Sequence, residues 1–160
     1  MIFVAVGTQK FQLNRLLKKV DDLIERGVIT EEVFAQIGQS DYKPKHYKYD
    51  EFLGKEDFEK AISECSILVT HSGVGTIISG LSKEKPIVVF PRLARYGEHV
   101  DDHQLQIAQT FHDLNYVIIC NDYDDLGIII KKSKEQKFEK YQSSRNRMVS
   151  CIREFLEEKN

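Results

Sequence analysis

Ser66-Ile67-Leu68-Val69-Thr70-His71-Ser72-Gly73-Val74-Gly75-Thr76-Ile77-Ile78-Ser79-Gly80 is the stretch whose reading decides the fold. An apolar run of strand length, Ile67 to Thr70, passes through a small glycine-containing turn into a segment of helical period. Such a turn is suited to a diphosphate. Its backbone N–H groups point outward, the helix dipole is positive there, and glycine admits close approach. Spacing alone leaves two readings open, a phosphate-type ligand and a tight structural turn. The dinucleotide fingerprint is excluded, because Ile78 stands where its third glycine belongs and the first strand offers only Gly7. No Lys-Ser/Thr pair closes a P-loop, and no GxSxG elbow is present.

Outward from this stretch, strands and helices alternate. Ile2 to Val6 is a buried-type strand ending at Gly7-Thr8-Gln9, and Leu13, Leu16, Leu17, Val20, Leu23 and Ile24 follow at helical spacing up to Gly27. Val33 to Gly38 is a second strand, Tyr47-Lys48-Tyr49 a short third, and Glu56 to Cys65 a helix. After the glycine turn come a helix over Thr76 to Lys83, a strand over Pro86 to Phe90 and a polar loop from Arg92 to Val100. A helix over Asp101 to Phe111, a strand over Tyr116 to Cys120 and a helix from Leu126 to Ile130 complete the alternation. Asp122 and Asp125 are placed where helix N-terminal charge is favoured. The tail, residues 134–160, is expected to be one long or broken amphipathic helix, its apolar side (Phe138, Tyr141, Met148, Ile152, Phe155, Leu156) packed on this chain or on a partner. The pattern predicts a single α/β domain over 1–160, with an open, mostly parallel Rossmann-like sheet and helices on both faces. Ligands then bind at the carboxyl ends of the strands.

Composition bounds the function. The 160 residues are 41% hydrophobic and 30% charged, ordinary for a globular domain, and the net charge of −2 gives a nucleic-acid partner no support. Cys65, Cys120 and Cys151 form no CxxC and read as reduced thiols of a cytosolic protein. No apolar run reaches the roughly 18 residues of a membrane span, and the N-terminus lacks a signal-peptide pattern. Tyr96-Gly97-Glu98-His99-Val100-Asp101-Asp102-His103-Gln104 packs two His and three carboxylates after a strand end. Its spacing matches no common metal pattern; a hydroxyl-binding surface suits it better, with His103 and Gln104 as paired donors and acceptors. A solvated loop is the other reading. Asp122-Tyr123-Asp124 formally matches the DxD of metal-dependent glycosyltransferases, and also a helix cap. Tyr42 to Tyr49 interleaves basic and aromatic side chains, either as a solvated edge or as a contact surface for an anionic headgroup or partner.

With these residues laid out, the chain resembles the small glycosyltransferase subunits that match only the C-terminal, donor-binding half of the GT-B fold (the family 28 C-terminal domain type). Within that type it is most similar to bacterial capsule and exopolysaccharide β-1,4-galactosyltransferase subunits, and more distantly to the soluble subunit of the eukaryotic dolichol-linked N-acetylglucosaminyltransferase. Three motifs carry the resemblance: Ile2 to Gln9, His71 to Thr76, and Arg95 to Gln106. It implies a split enzyme that is cytoplasmic and held at the inner face of the membrane by an anchored partner subunit, which brings the lipid-linked acceptor. Residue by residue, Ser72, Gly73, Val74, Gly75 and Thr76 would hold the diphosphate of a UDP-sugar, with Gly7 and Thr8 across the cleft and His71 also counted among the donor-binding residues. His103 and Gln104 would meet the sugar hydroxyls. Ser79 stands where the family often carries an acidic ribose-binding residue, so only a weaker hydroxyl contact is expected there. Glu98 and His99, with His71, are this chain's candidate bases, although family precedent puts the base on the missing half. The implied reaction is inverting, metal-independent galactosyl transfer from UDP-galactose to a lipid-diphosphate-linked sugar, with no cofactor and no nucleic acid. The competing classes are a non-catalytic donor-binding or enhancer subunit and, more weakly, a UDP-sugar epimerase. A partner-binding surface left bare would favour self-association of the isolated chain.

Overall fold

A computed structural model describes residues 1–141; residues 142–160 lie outside the described residues. Six parallel strands form one sheet: β1 (Ile2–Ala5), β2 (Val33–Gln36), β3 (Lys48–Asp50), β4 (Ile67–Thr70), β5 (Ile87–Val89) and β6 (Ile118–Ile119). Their spatial order is β3-β2-β1-β4-β5-β6. The chain therefore winds one way from β1 to β3 and the other way from β4 to β6, which makes the β1–β4 junction the switch point where open α/β sheets bind ligands.

Side-chain alternation along β1 shows how the sheet is covered. Ile2, Val4 and Val6 join a buried cluster with Leu16, Leu17, Val20 and Leu23 of α1 (Asn14–Glu25) and Ile129 and Ile130 of α5 (Leu126–Glu135). Phe3 and Ala5 point the other way, into a cluster with Ile62 of α2 (Lys55–Glu64), Ile77 and Leu81 of α3 (Val74–Ser82), and Ile107 and Phe111 of α4 (His103–Asp113). Both faces are helix-covered, which is why the strands read as continuous apolar runs rather than alternating ones. Helix α3 lies close on the sheet because residue 80 is glycine: a Cβ there would come within 2.8 Å of both Ile87 and Leu68.

Three sequence expectations are corrected. Helix α4 begins at His103 rather than Asp101, because Asp101 and Asp102 are spent on the turn before it, accepting from the backbone N–H groups of His103 and Ala94. Asp125 is the N-cap of α5, accepting from Ile128 N–H, whereas Asp122 has other partners. At the start of the tail, where Phe138 and Tyr141 were expected on a helix, α5 stops at Glu135 and 136–141 are not helical. Asn115, at φ +57°, anchors this segment through Gln136, the Lys137 carbonyl and the Glu139 N–H. Phe138 packs on the α1–α5 cluster and Tyr141 against the opposite one, stacked edge-on to Tyr116. The expected apolar positions Met148, Ile152, Phe155 and Leu156, with Cys151, fall outside the described residues. Cys65 and Cys120 are free and buried. Among the described residues no helix is long and apolar enough to cross a membrane.

Candidate donor-binding site

At the switch point β4 delivers His71, Ser72 and Gly73, and α3 begins at Val74 with Gly73 as N-cap and no side chain capping its first turn. A helix start without a cap leaves backbone N–H donors looking outward. Beside them the Ser72 hydroxyl is buried and has no partner among the described residues. Buried hydroxyls are almost always satisfied, so this is a polar group that awaits a ligand or water. Gly75 is exposed, with open space where a Cβ would sit; Val74 is buried and Thr76 half-buried.

His71 is 5% exposed and fills the gap between two loops. A Cβ on Gly7 would lie 2.5 Å from its Nε2, and one on Gly73 would lie 2.6 Å from the same atom. Gly7 also sits at φ +82°, a backbone conformation that side-chain-bearing residues avoid. Glycine at both positions is thus a packing requirement around one imidazole. Burial first, then the nearby Arg92 guanidinium, pushes the His71 pKa down to about 3, so the ring is neutral at physiological pH. Its Nδ1 lies 3.4 Å from Gln104 Nε2. Gln104 is buried, and its Oε1 accepts from the Arg92 backbone N–H at 3.3 Å.

Arg92, read from sequence as part of a polar loop, is wholly buried. Its Nη1 donates to the carbonyls of Phe11 (2.9 Å), Gln12 (3.0 Å) and Glu98 (3.4 Å), and its Nη2 to the carbonyl of Val6. It fastens the loop carrying Gly7 and Thr8, which is itself exposed at Thr8. Burial lowers the guanidinium pKa to about 10, against the opposing pull of Glu98, and the charge persists at neutral pH. Glu98 is buried too. Its Oε1 accepts from Arg15 Nη2 (2.9 Å) and the Leu93 N–H (3.0 Å), and its Oε2 from Arg15 Nε (3.0 Å). A carboxylate held on both oxygens anchors the loop and is poorly disposed to accept an acceptor's proton. His99 lies against Phe11, with Nδ1 3.3 Å from Asp101 Oδ1; the angle is too poor for a hydrogen bond. His103 Nε2 is 3.5 Å from the other oxygen of Asp101. Ser79 faces away from this group: its hydroxyl is 3.4 Å from Glu59 Oε1 of α2, a carboxylate also paired with Lys83 at 2.7 Å.

The sequence profile of the Glycosyltransferase family 28 C-terminal domain matches residues 1–158. The chain belongs to this family. Among its relatives are proteins named UDP-N-acetylglucosamine transferase subunit ALG13. That of Candida albicans is 27% identical over 99 residues, covering 62% of this chain and 32% of that protein. That of Homo sapiens is 28% identical over 134 residues, covering 74% of this chain and 11% of that protein. The chain thus spans a third or less of these relatives' length. The fold is shared with a solution structure of ALG13 (TM-score 0.59, 19% identity, covering 92% of this chain and 94% of that one). It is also shared with the glycosyltransferase of kitacinnamycin (TM-score 0.64, 15% identity, covering 96% of this chain and 38% of that one). This family 28 domain is the Rossmann-like C-terminal half of a GT-B architecture.

In this family 28 domain the Asp122-Tyr123-Asp124 triplet has partners inside the protein. Asp122 accepts from Tyr96 Oη (2.7 Å), Arg15 Nη1 (3.3 Å) and Arg95 Nη2, and the Tyr96 bond foremost holds its carboxyl below the usual range. Asp124 accepts from the Asn121 N–H at 2.8 Å. Among the described residues no cluster of three or more His, Cys, Asp or Glu is arranged to hold a metal ion. The basic-aromatic segment 42–49 is pinned to α1 through buried Asp21, which accepts from Tyr42 Oη (2.5 Å) and the N–H groups of Lys45 and His46 (2.9 Å each). The structure therefore gathers Gly7, His71, Ser72, Gly73 and Gln104 at one point and leaves Ser79, His99 and His103 to neighbouring contacts. Sequence reading missed Arg92, Arg15 and Asp21. For Arg92 the available signal was its position, three residues beyond the end of β5, the strand next to β4.

Proposed function

We propose that this chain is the donor-binding half of a UDP-sugar-dependent glycosyltransferase. The observation that carries this reading is the uncapped start of α3 with the unpartnered Ser72 hydroxyl beside it, at the switch point of a family 28 domain. The diphosphate lies on the N–H groups of Gly73 to Thr76, and the His71 imidazole faces it between Gly7 and Gly73. An acceptor hydroxyl attacks the anomeric carbon with inversion, the bond to the β-phosphate oxygen breaks, and UDP leaves with its charge held by helix dipole and N–H donors. No metal or cofactor is invoked. The hydroxyl's proton goes to a base on the partner half, because Glu98 is committed to Arg15. The partner is a membrane-anchored subunit that presents a lipid-linked acceptor and holds this chain at the cytoplasmic face.

The donor we favour is UDP-galactose, supported by the resemblance of Arg95 to Gln106 to capsule and exopolysaccharide galactosyltransferase subunits. UDP-N-acetylglucosamine is the second reading, favoured by the names of the relatives. The test is transfer from each donor, in EDTA, by this chain combined with membranes bearing the partner and its lipid acceptor. Activity with one donor, surviving EDTA and lost in Gly75→Leu together with UDP binding, supports the proposal. Strict Mn²⁺ dependence abolished by Asp122→Asn would overturn its metal-free form. Transfer that persists in Gly75→Leu without UDP binding would make this chain an accessory subunit.

A further inference from the structure

The Arg92 backbone N–H can only donate, so the Gln104 atom facing it at 3.3 Å must be the carbonyl oxygen. That fixes the other end of the amide as the NH₂ group, which faces His71 Nδ1 at 3.4 Å and can only donate to it. In a neutral imidazole whose Nδ1 accepts, the proton is on Nε2. The Nε2–Cε1 edge of the ring is turned toward the glycines: a Cβ on Gly7 would come nearest Nε2 (2.5 Å), and one on Gly73 would lie 2.4 Å from Cε1 and 2.6 Å from Nε2. The same Arg92 whose N–H starts this chain of bonds uses its guanidinium to hold the carbonyls of Val6, Phe11 and Gln12. Arg92 thereby ties its own loop after β5 to the loop after β1, and through Gln104 to His71 after β4.

We infer that Gln104 is a positioning residue: it reads the Arg92 backbone with one end of its amide and, with the other, fixes the His71 tautomer so that Nε2–H faces the space between the two glycine loops. The inference rests on the donor-site reading only for what that N–H meets, a phosphate oxygen. The amide is buried, with one N–H directed to His71 and one oxygen lone pair to the Arg92 N–H. A sugar-binding glutamine would affect the choice among donor sugars. A tautomer-fixing one affects UDP itself.

The test uses the full chain. Long-range proton–nitrogen correlation spectra of the imidazole should show wild-type His71 as the single Nε2–H tautomer without any ligand. In Gln104→Glu the carboxylate can only accept, so Nδ1 should carry a proton. In Gln104→Met the preference should be lost, with UDP affinity measured calorimetrically falling about tenfold or more, as expected for losing an oriented donor to a charged group. A wild-type ring protonated on Nδ1 overturns the inference, and that measurement needs no variant to fold. UDP affinity unchanged in a folded Gln104→Met overturns the positioning role. Wild-type chain that shows the Nε2–H tautomer but binds no UDP overturns the donor-site reading and leaves the tautomer assignment standing.

Discussion

Two glycines two residues apart should respond to the same substitution with opposite signs. At Gly73 the backbone is ordinary (φ −72°), so alanine is not strained there; what opposes it is the His71 ring, with Cε1 2.4 Å and Nε2 2.6 Å from the new Cβ. The ring is buried and the same edge is packed close to Gly7, so it has little room to give. Overpacking of this kind costs about 1–3 kcal/mol, and a confined ring belongs near the upper end. At Gly75 a Cβ meets nothing within 4 Å, and the residue is already in the first turn of α3. Alanine there restricts the unfolded chain and favours the helix by roughly 0.5–1 kcal/mol. The two variants should therefore differ by about 2–4 kcal/mol. Urea unfolding with a common slope measures this directly, through the midpoint. His71→Ala combined with Gly73→Ala should recover part of the loss, since the obstructing ring is gone. A Gly73→Ala variant within about 0.3 kcal/mol of wild type, well inside the overpacking range, would refute the wedge geometry. So would a Gly75→Ala variant destabilised as much as Gly73→Ala.

Other outcomes follow from the same residues. The His71 pKa is depressed on folding to about 3, below its ordinary 6.5, so the unfolded chain takes up a proton that the folded chain refuses. Its contribution is complete above about pH 6.5 and is lost as pH falls toward 3, at about 1.4 kcal/mol per unit; urea unfolding at pH 7.5 and 5.5 should therefore differ by about 1.4 kcal/mol in all, and a flat profile would contradict it. Arg92→Met strands the Val6, Phe11 and Gln12 carbonyls and should destabilise by roughly 3 kcal/mol or more, read by thermal melting; a neutral effect would deny the clamp. Glu98→Gln leaves half-buried Arg15 with Asp122 as its one remaining carboxylate among the described residues and should cost roughly 2–3 kcal/mol of stability, whereas unchanged stability with abolished transfer would instead make Glu98 the base.

The architecture was legible because parallel strands covered on both faces are continuous apolar runs, which stand out between polar helix surfaces; the edge strand β3, Lys48-Tyr49-Asp50, is the polar exception. The glycine turn was legible for the same reason, as an interruption between a run such as Ile67 to Thr70 and a helix. What escaped the sequence is what three-dimensional convergence creates. Arg92 reads as one more charge after a proline, and nothing local says that three carbonyls of the loop after β1 and one farther along its own loop close around it. Asp21 and Arg15 sit on α1 among lysines and acquire meaning only when segments 41–46 and 91–98 fold over them. Gln104 reads as a hydroxyl binder because its neighbours are polar; its inward orientation follows from where α4 starts, and the acidic residues spent on the preceding turn decide that. The tail misled because Phe138 and Tyr141 are three apart, a helical spacing, although an extended segment carries them to clusters on opposite faces of the sheet.

The measurement that bears most directly on donor binding is a titration of UDP into isotope-labelled chain, in EDTA, followed by amide proton–nitrogen correlation spectra. The expected result is saturable shifts at Gly7, Ser72, Gly73, Val74, Gly75 and Thr76, with the amides of 136–141, beyond the opposite end of the sheet, unmoved. Absence of shifts in the glycine loop at saturating UDP, or shifts only on addition of a divalent metal and centred on Asp122 and Asp124, would contradict it.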